Sequence, residues 1–232
     1  MRIPLTIPHW YDFGPDRDVV GRDLGRAEAW DALRTGTDGA FALPSSPAAL
    51  ATAARRQHEL EGRARAVGEW LSQIGARSVA SYGAGAGLLE WWLSNDPAVG
   101  RLLVTEYAPA TVERLRSLLP RAEVSCHDLL AEPPLDADAH LFHRIDTEFS
   151  AGQWRAVLAR FAAQRVLFVA AGVAGPRDAL AELLRRVRHP GATRAGWLRN
   201  RAALDALWRS THHARPLSVA DLPAWALEPR LR

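Results

Sequence analysis

The chain has 232 residues, of which 48% are hydrophobic and 24% charged, and this length suits one α/β domain with a buried core and a modest extra segment. The composition is typical of a folded protein and excludes disorder as the main state. The formal net charge is +3, but all 29 basic residues are arginine and alanine is abundant. This balance indicates coding bias rather than a track for nucleic-acid phosphates, so we do not expect nucleic acid as a partner.

Two residue types are too scarce for several kinds of site. Cys126 is the only cysteine, which excludes an internal disulfide and a multi-cysteine zinc site and agrees with a reducing compartment. The sequence has no lysine, so a Schiff-base lysine and the lysine of a P-loop are both excluded. No run approaches the roughly 18 apolar residues of a membrane-spanning helix, and the first residues do not resemble a signal peptide. We therefore expect a cytoplasmic protein with no membrane partner.

Residues 1–45 form an unusual N-terminal segment, which includes a short amphipathic piece over residues 20–33. Its first aromatic cluster lies among glycines and prolines and contains His9, Trp10, Tyr11 and Phe13. We expect this segment to be an aromatic lid or helical cap ahead of a main domain over residues 46–232. Plain packing of the aromatic side chains is an equally good interpretation.

The main domain begins with a helix. Ser46 before Pro47 is typical of an N-cap with proline at the first helical position. Apolar residues then recur at spacings of four and three, which predicts one helical face packed on a sheet: Leu60, Ala64, Val67, Leu71 and Ile74.

From residue 77 onward, short apolar runs alternate with helical segments, which indicates βαβ units and a mostly parallel sheet. The predicted strands cover residues 78–82, 101–105, 122–126, 139–145 and 165–170. Ser150 with Gln153 predicts a capping box at the helix after the fourth strand. Two further strands, 213–219 and 223–227, are joined by three residues, too few for a parallel crossover, so they predict an antiparallel hairpin. We therefore expect a Rossmann-like sheet of seven strands, parallel except for one.

A glycine turn follows the first strand of this domain. Gly83, Gly85 and Gly87 allow a tight turn and let a ligand approach the main chain. Glu106 ends the second strand, where a carboxylate can accept hydrogen bonds from the two hydroxyls of a ribose. Asp128 ends the third strand. Because the carboxyl ends of parallel strands share one edge of the sheet, these features predict one nucleotide-like crevice.

On these residues the chain resembles the class I S-adenosylmethionine-dependent methyltransferases, over roughly residues 60–230. Residues 81–87 (SYGAGAG) match the first motif of the family, Glu106 its ribose-binding acid and Asp128 its acid near the adenine. The terminal hairpin is also a mark of the family. The resemblance implies S-adenosyl-L-methionine as cofactor, with these cofactor-binding residues: Ser81, Tyr82, Gly83, Ala84, Gly85, Gly87, Glu106, Tyr107, Asp128, Leu129 and Arg144.

Position 81 departs from the family pattern, which usually has Asp or Glu there in contact with the methionine part of the cofactor. Ser81 is uncharged, so main-chain carbonyls near Tyr82 and Gly83 would have to hold the ammonium group instead. This departure keeps open a protein that binds the cofactor without catalysis. A nicotinamide-dependent oxidoreductase is a further alternative, but the third glycine of the dinucleotide fingerprint would fall at Leu88.

The fourth strand ends where, in the layout of the family, the transferable methyl group lies. Asp146 and Glu148 are the first candidates for a base or a substrate anchor, with His143 as a third. Solvated charges ahead of the Ser150 cap, and a histidine satisfied within the sheet, are the alternative interpretations. No metal is expected, because the His pairs of the sequence have no suitable spacing for ligation.

The acceptor is expected to be a small organic molecule, held between His9, Trp10 and Tyr11 and the end of the fourth strand. The chain lacks the Asn/Asp-Pro-Pro-aromatic motif of enzymes that methylate base amines and has the sequence IDTEF at residues 145–149 instead. Methylation of RNA or protein stays open as an alternative function. The sequence gives no oligomeric state.

Overall fold

The computed structural model describes residues 3–11, 24, 26–35 and 41–230. Its strands are β1 (Thr6–Tyr11), β2 (Ser78–Tyr82), β3 (Arg101–Glu106), β4 (Glu123–Cys126), β5 (Ala139–His143), β6 (Val166–Val169), β7 (Thr193–Arg199), β8 (His212–Val219) and β9 (Leu222–Pro229). Its helices are α1 (Ala27–Thr35), α2 (Pro47–Arg56), α3 (His58–Gln73), α4 (Leu88–Leu93), α5 (Pro109–Leu118), α6 (Ala151–Arg160), α7 (Pro176–Arg188) and α8 (Arg201–Trp208).

Seven strands form the main sheet in the order β4-β3-β2-β5-β6-β9-β8. The first five are parallel, and β9 runs antiparallel between β6 and β8. The turn between β8 and β9 is as short as expected, so the last strand inserts beside β6 and leaves β8 at the edge. This confirms the predicted seven-stranded sheet with one antiparallel strand.

Both faces of the sheet are covered by helices. On one face, α2, α3, α4 and α5 pack on alternate strand residues such as Val79 and Leu141. On the other face, α6 and α8 form an aromatic core with Phe142 and Phe168, which follow Leu141 and Leu167 of the first face along β5 and β6. The Ser46 N-cap and the Ser150 capping box form as predicted. Because each central strand is buried on both sides, the register of the sheet, and with it the level of the strand ends, is fixed.

A second sheet of two strands was not expected from the sequence. β1 pairs antiparallel with β7, and the register shifts between His9 and Trp10. Both strands are half exposed, and β7 contains three basic or glycine residues that weaken its apolar alternation. This pairing joins the N-terminal segment to the part of the chain between α7 and α8.

Helix α7 has its polar side turned inward. Glu182 is its buried residue, while Leu180, Leu183, Leu184 and Val187 are among the exposed large hydrophobic residues. The Glu182 carboxylate accepts a hydrogen bond from the Trp10 main-chain N–H at 2.9 Å. The apolar residues of α7 therefore do not pack on the sheet.

Helix α1 is attached to the body of the protein through the N-terminus of α5. The Asp31 carboxylate accepts hydrogen bonds from the Ala110 N–H at 3.1 Å, the Thr111 N–H at 2.8 Å and the Thr111 hydroxyl at 2.9 Å. Residue 108, the N-cap of α5, is an alanine without a capping side chain. Asp31 therefore satisfies donors that α5 cannot satisfy itself, and its charge suits the helix N-terminus.

The described residues contain neither a membrane-spanning helix nor a metal-binding cluster. None of their helices has the length and the apolar character needed to cross a membrane. In the same part of the chain, no group of three or more His, Cys, Asp or Glu residues could hold a metal ion.

Replacing Asp31 by Ala should lower the free energy of unfolding by about 0.5–2 kcal/mol, the usual cost of losing a helix cap. Urea titration followed by tryptophan fluorescence measures this change. Glu28→Ala is the matched control on the same helix, because the Glu28 side chain is 77% exposed and should change stability by less than about 0.5 kcal/mol. Equal effects of the two substitutions would contradict the capping role of Asp31.

Candidate functional site

A cleft opens beyond the carboxyl ends of β2, β3, β4 and β5, the edge at which ligands of open α/β sheets bind. Its volume is about 480 Å³, within the range of small-molecule sites. The residues that the sequence assigned to the site and that line this cleft are Tyr82, Gly83, Gly85, Glu106, Tyr107, Asp128, Leu129 and Glu148. The glycine turn and the acids of three strand ends therefore face one cavity.

Gly83 and Gly85 form part of the cleft wall in a backbone conformation that favours glycine. Their φ angles are 68° and 59°, in the left-handed region. A Cβ atom on Gly83 would lie 2.8 Å from Cγ2 of Ile145, and one on Gly85 would lie 2.8 Å from Nη2 of Arg34. The turn thus needs glycine for its backbone angles, and the missing Cβ atoms let the Ile145 and Arg34 side chains approach it.

Ala84 and Gly87, two further residues of the turn, have structural roles. A Cβ atom on Gly87 would lie 3.0 Å from Cδ2 of Leu115, so this glycine allows α4 to pack close to α5. The Ala84 N–H donates to the main-chain oxygen of Thr105 at 3.0 Å, which links the turn to β3. Neither Ala84 nor Gly87 lines the cleft, although the resemblance assigned both to the cofactor.

Glu106 is held at the end of β3 by two main-chain donors. Its Oε2 accepts a hydrogen bond from the Gly85 N–H at 2.8 Å, and its Oε1 accepts one from the Tyr107 N–H at 2.8 Å. The Tyr107 side chain itself is exposed at the mouth of the cleft. Each carboxylate oxygen keeps a free lone pair, so Glu106 can still accept hydrogen bonds from a ligand.

The end of β4 contributes Asp128 and a histidine that the sequence did not single out. Oδ1 of Asp128 accepts a hydrogen bond from the Leu130 N–H at 2.8 Å. His127 is buried against the Tyr82 ring, and its Nε2 atom has no partner within the described residues. Burial lowers the pKa of His127, so its ring is neutral at pH 7. In the sequence, only its position directly before Asp128 indicates that His127 belongs to the site.

Ser81 is buried and donates a hydrogen bond to the carboxylate of Glu90, at 2.7 Å. Glu90 lies on α4 and is itself buried. Burial raises the pKa of Glu90 to about 7, Ser81 opposes this shift, and the negative charge of Glu106 adds to it. A carboxyl group therefore lies behind residue 81 although that residue is not acidic, a contact that sequence analysis missed because α4 reads as an apolar helix.

Glu148 faces the cleft from the turn after β5. Although its side chain is open to the cavity, the protein around the cleft desolvates it, and this raises the pKa of Glu148 to about 7. Repulsion from Glu106 and Asp146 acts in the same direction, while Arg34 opposes it. Glu148 is therefore the member of the predicted catalytic group that meets the cavity.

Asp146 lies outside the cleft, contrary to the base or substrate anchor expected from the sequence. Its side chain is buried, and Oδ1 accepts a hydrogen bond from the Ala171 N–H at 2.7 Å. Its main-chain oxygen accepts hydrogen bonds from the Trp154 indole, at 3.0 Å, and from the Arg199 guanidinium. Asp146 therefore neither faces an acceptor nor lies in solvent. Its hydrogen bonds hold the loops after β5 and β6 together.

His143 and Arg144 also lie outside the cleft. Burial and the charges of Arg63 and Arg144 lower the pKa of His143 to about 3, and its Nε2 atom is unpartnered within the described residues. Arg144 has an exposed side chain and a φ of 61°. These placements do not fit the catalytic role expected for His143 or the cofactor contact expected for Arg144.

The predicted acceptor-binding aromatics lie on β1 of the small sheet and do not line the cleft. Nδ1 of His9 is 3.1 Å from the Glu182 carboxylate, and the Arg186 guanidinium lies 4.4 Å from the centre of the Trp10 ring. Tyr11 contacts the Phe41 ring. The pairing of β1 with β7 places His9 and Trp10 against α7 and Tyr11 against Phe41, and none of the three lines the cleft, which corrects the expected substrate contact. The fourth aromatic of the cluster, Phe13, lies outside the described residues.

The side chains that cover the cleft come from α1 and β7 instead. Trp30 and Arg34 lie four residues apart, hence on one face of α1, and both line the cavity together with Leu24. Trp197 of β7 lines it from the other side. The sequence contains the amphipathic piece that forms α1, but the periodicity of that piece does not indicate what the helix covers.

The structure is similar to three solved structures of proteins named as methyltransferases. Human N-acetylserotonin methyltransferase, solved with S-adenosylmethionine, is 18% identical with a TM-score of 0.55, and the match covers 80% of this chain and 57% of that chain. The mitomycin 7-O-methyltransferase MmcR gives 19% and 0.56, with 74% and 54% covered. An O-methyltransferase family protein from Burkholderia thailandensis gives 15% and 0.57, with 98% and 64% covered.

No protein-family model matches the chain, and no curated protein sequence matches it. The chain spans little more than half the length of the human protein and of MmcR. At these identities the likeness shows the fold. The chain has the Rossmann-like fold of the class I S-adenosylmethionine-dependent methyltransferases, as its sheet order also indicates, and this confirms the fold class expected from the sequence.

Glu90→Gln should make stability less dependent on pH. The folded pKa of about 7 exceeds the ordinary value of 4.5, so the folded protein keeps a proton that the unfolded chain releases above pH 4.5. Glu90 therefore lowers the free energy of unfolding as pH rises from about 4.5 to 7. Urea unfolding at pH 5 and pH 8 should give a smaller difference for the variant than for the wild type.

The control for this experiment is Glu61→Gln, because the Glu61 side chain is 50% exposed and its loss should leave the dependence on pH as in the wild type. If Glu90→Gln also left that dependence unchanged, the raised pKa of Glu90 would be wrong.

Proposed function

We propose that the protein binds S-adenosyl-L-methionine in this cleft and transfers its methyl group to a small organic acceptor. The observation that carries the proposal is the hydrogen bond from the Gly85 N–H to the Glu106 carboxylate. This bond holds an acceptor for ribose hydroxyls directly beside a glycine turn that leaves the main chain open to a ligand. Asp128, at the next strand end, supports the same assignment.

The residues of the cleft fit the cofactor. Glu106 would hold the ribose, Asp128 and Leu129 would border the adenine, and the amino-acid end would lie along Gly83 and Gly85. When bound, the cofactor supplies a methyl group already activated on a sulfonium sulfur, so that catalysis rests mainly on alignment. What remains for the chain is to orient the acceptor, exclude water and receive a proton.

We assign Glu148 as the residue that accepts the proton of the acceptor. It is the predicted catalytic residue that lines the cleft, and a pKa near 7 suits a base that works at neutral pH. In its ionised form it can accept the proton of an acceptor hydroxyl or amine as the new bond to the methyl group forms. Asp146 and His143 are assigned structural positions instead.

The acceptor side of the cleft is walled by aromatic rings, those of Trp30, Phe149 and Trp197. Such walls suit a flat or aromatic molecule. Among proteins of similar fold, an O-methyltransferase family 2 protein from Planctomyces limnophilus was solved with apigenin (14% identity, TM-score 0.51, 66% of this chain and 50% of that chain covered). We propose that α1, rather than residues 9–11, is the lid over this side. A cytoplasmic location, which the exposed thiol of Cys126 suits, completes the proposal.

Calorimetric titration with the demethylated cofactor tests the proposal directly. The wild type should bind it and should not bind NAD. Glu106→Ala should weaken binding by about 1.5–3 kcal/mol, the scale of a hydrogen bond to a charged group. Glu113→Gln, a change of an exposed acid on α5, should leave the dissociation constant unchanged.

Each other outcome of the titration favours a different function. Binding of NAD alone would favour the oxidoreductase, and binding of neither ligand would refute a cofactor site of this kind. The acceptor is tested separately by an assay of methyl transfer. Salt-sensitive transfer to bulk RNA, or transfer to a protein, would contradict a small-molecule acceptor.

Glu148→Gln should lower kcat by about 10²-fold to 10⁴-fold, the usual contribution of a general base. In the wild type, kcat should rise with pH to a plateau above about pH 7, because protonated Glu148 cannot accept a proton. This rise should disappear in the variant. Asp146→Asn is the matched control, since an amide oxygen can still accept the hydrogen bond from Ala171, and its kcat should stay within about three-fold. A large loss in Asp146→Asn and none in Glu148→Gln would reverse the assignment.

A further inference from the structure

Arg34 extends from the last turn of α1 to the glycine turn. Its Nη2 atom lies 2.8 Å from the position that a Cβ atom on Gly85 would take. The helix beneath it is fixed by the Asp31 cap on α5, and the Leu43 N–H donates to the Arg34 main-chain oxygen at 2.8 Å. The guanidinium lies over the Trp30 ring at 5.4 Å. Its position is therefore set by the fold and not by a contact with the cleft acids.

This guanidinium has donors left over. Its only hydrogen bond within the described residues is a long one, from Nη1 to the Phe41 main-chain oxygen at 3.4 Å. In the same part of the chain, no carboxylate lies within 4.0 Å of it, although the charges of Glu106 and Glu148 act on it from further away. A half-buried guanidinium with unused N–H groups at the cleft is suited to pair with an anion that a ligand brings, ideally a carboxylate bound by two parallel hydrogen bonds.

The position of Arg34 relative to Glu106 indicates which anion of a ligand the guanidinium would bind. The Glu106 carboxylate is bound to the N–H of Gly85, and Arg34 lies against the same residue. A ribose held by Glu106 would therefore have its neighbouring substituent beside Arg34. In the proposed cofactor this substituent is a sulfur with an amino-acid chain that ends in a carboxylate.

We propose that Arg34 binds the α-carboxylate of the cofactor and thereby makes α1 part of the cofactor site. The assignment rests on the proposed function. Gly85 is required for it, since any side chain there would meet the guanidinium. Ser81 carries no charge, and Arg34 gives the amino-acid end of the cofactor an ionic partner from a different part of the chain.

Two ligands that differ only in the amino-acid group separate this role from a general effect on the cleft. S-adenosylhomocysteine contains the carboxylate, whereas 5′-methylthioadenosine has the same nucleoside and thioether without it. Arg34→Gln should weaken binding of S-adenosylhomocysteine by about 10- to 100-fold in calorimetric titration, and should leave binding of methylthioadenosine within about three-fold. Arg34→Lys, which keeps the charge but not the paired donors, should fall between the wild type and Arg34→Gln.

Arg55→Gln is the matched control. Arg55 also lies over a tryptophan, Trp91, at 5.2 Å, and it does not line the cleft. This variant should bind both ligands as the wild type does. Equal melting temperatures of all variants would show that the substitutions leave the fold intact.

The other outcomes overturn the assignment in distinguishable ways. Equal weakening of both ligands by Arg34→Gln would make Arg34 a nucleoside contact, and tighter binding of both would make it a plug that the cofactor has to displace. Unchanged binding of S-adenosylhomocysteine together with a raised KM for a carboxylate-bearing acceptor would move the anion to the acceptor. Failure of the wild type to bind either ligand would instead refute the proposed function.

Discussion

The hydrogen bond from the Gly85 N–H to the Glu106 carboxylate joins the ends of two neighbouring strands, and the rest of the cleft is arranged around it. It can form because β2 and β3 pair in parallel with Tyr82 opposite Thr105, so that the glycine turn and the acid leave the sheet at the same level. A slip of one residue would turn the Glu106 side chain to the other face. The packing of both faces of the sheet excludes this slip, and the geometry of the site therefore depends on the core.

Ionising every carboxyl group near this bond at neutral pH costs free energy. Burial and the charge of Glu106 raise the pKa values of both Glu90 and Glu148 to about 7, and Arg34 acts against the shift of Glu148. A cation bound in the cleft would favour the ionised forms of these acids. Binding of a sulfonium ligand would thus release protons and bring Glu148 into the state in which it can act as a base. The bound cation would in this way lower the pKa values of the acids that attract it.

The sequence predicted the parts of the molecule that depend on local pattern. The strands of the main sheet, the terminal hairpin, the glycine turn and the acid of β3 follow from apolar runs and from turn residues. Side-chain direction after β5 did not follow, because Asp146 and Glu148 are two residues apart in a turn whose shape decides which of them faces the cleft. Arg34 was missed because it meets Gly85, a partner far away in the sequence. Glu90 was missed because α4, which carries it towards Ser81, reads as an apolar helix.

In the part of the chain that the structure describes, helix α1 is held to the body mainly by polar contacts, and this has a consequence for access to the cleft. Among the described residues, the apolar cluster around α1 consists of Leu24 and Leu33 with a few half-buried neighbours, whereas the sheet is covered by two large clusters. Local opening of a protein costs less where fewer apolar contacts are broken. Release of α1 breaks the Asp31 cap and this small cluster but leaves the sheet, the glycine turn and Glu106 in place. With α1 as the proposed lid, a ligand would reach the strand ends at a free-energy cost well below that of unfolding, and a contact between that ligand and Arg34 would return part of this cost when α1 closes.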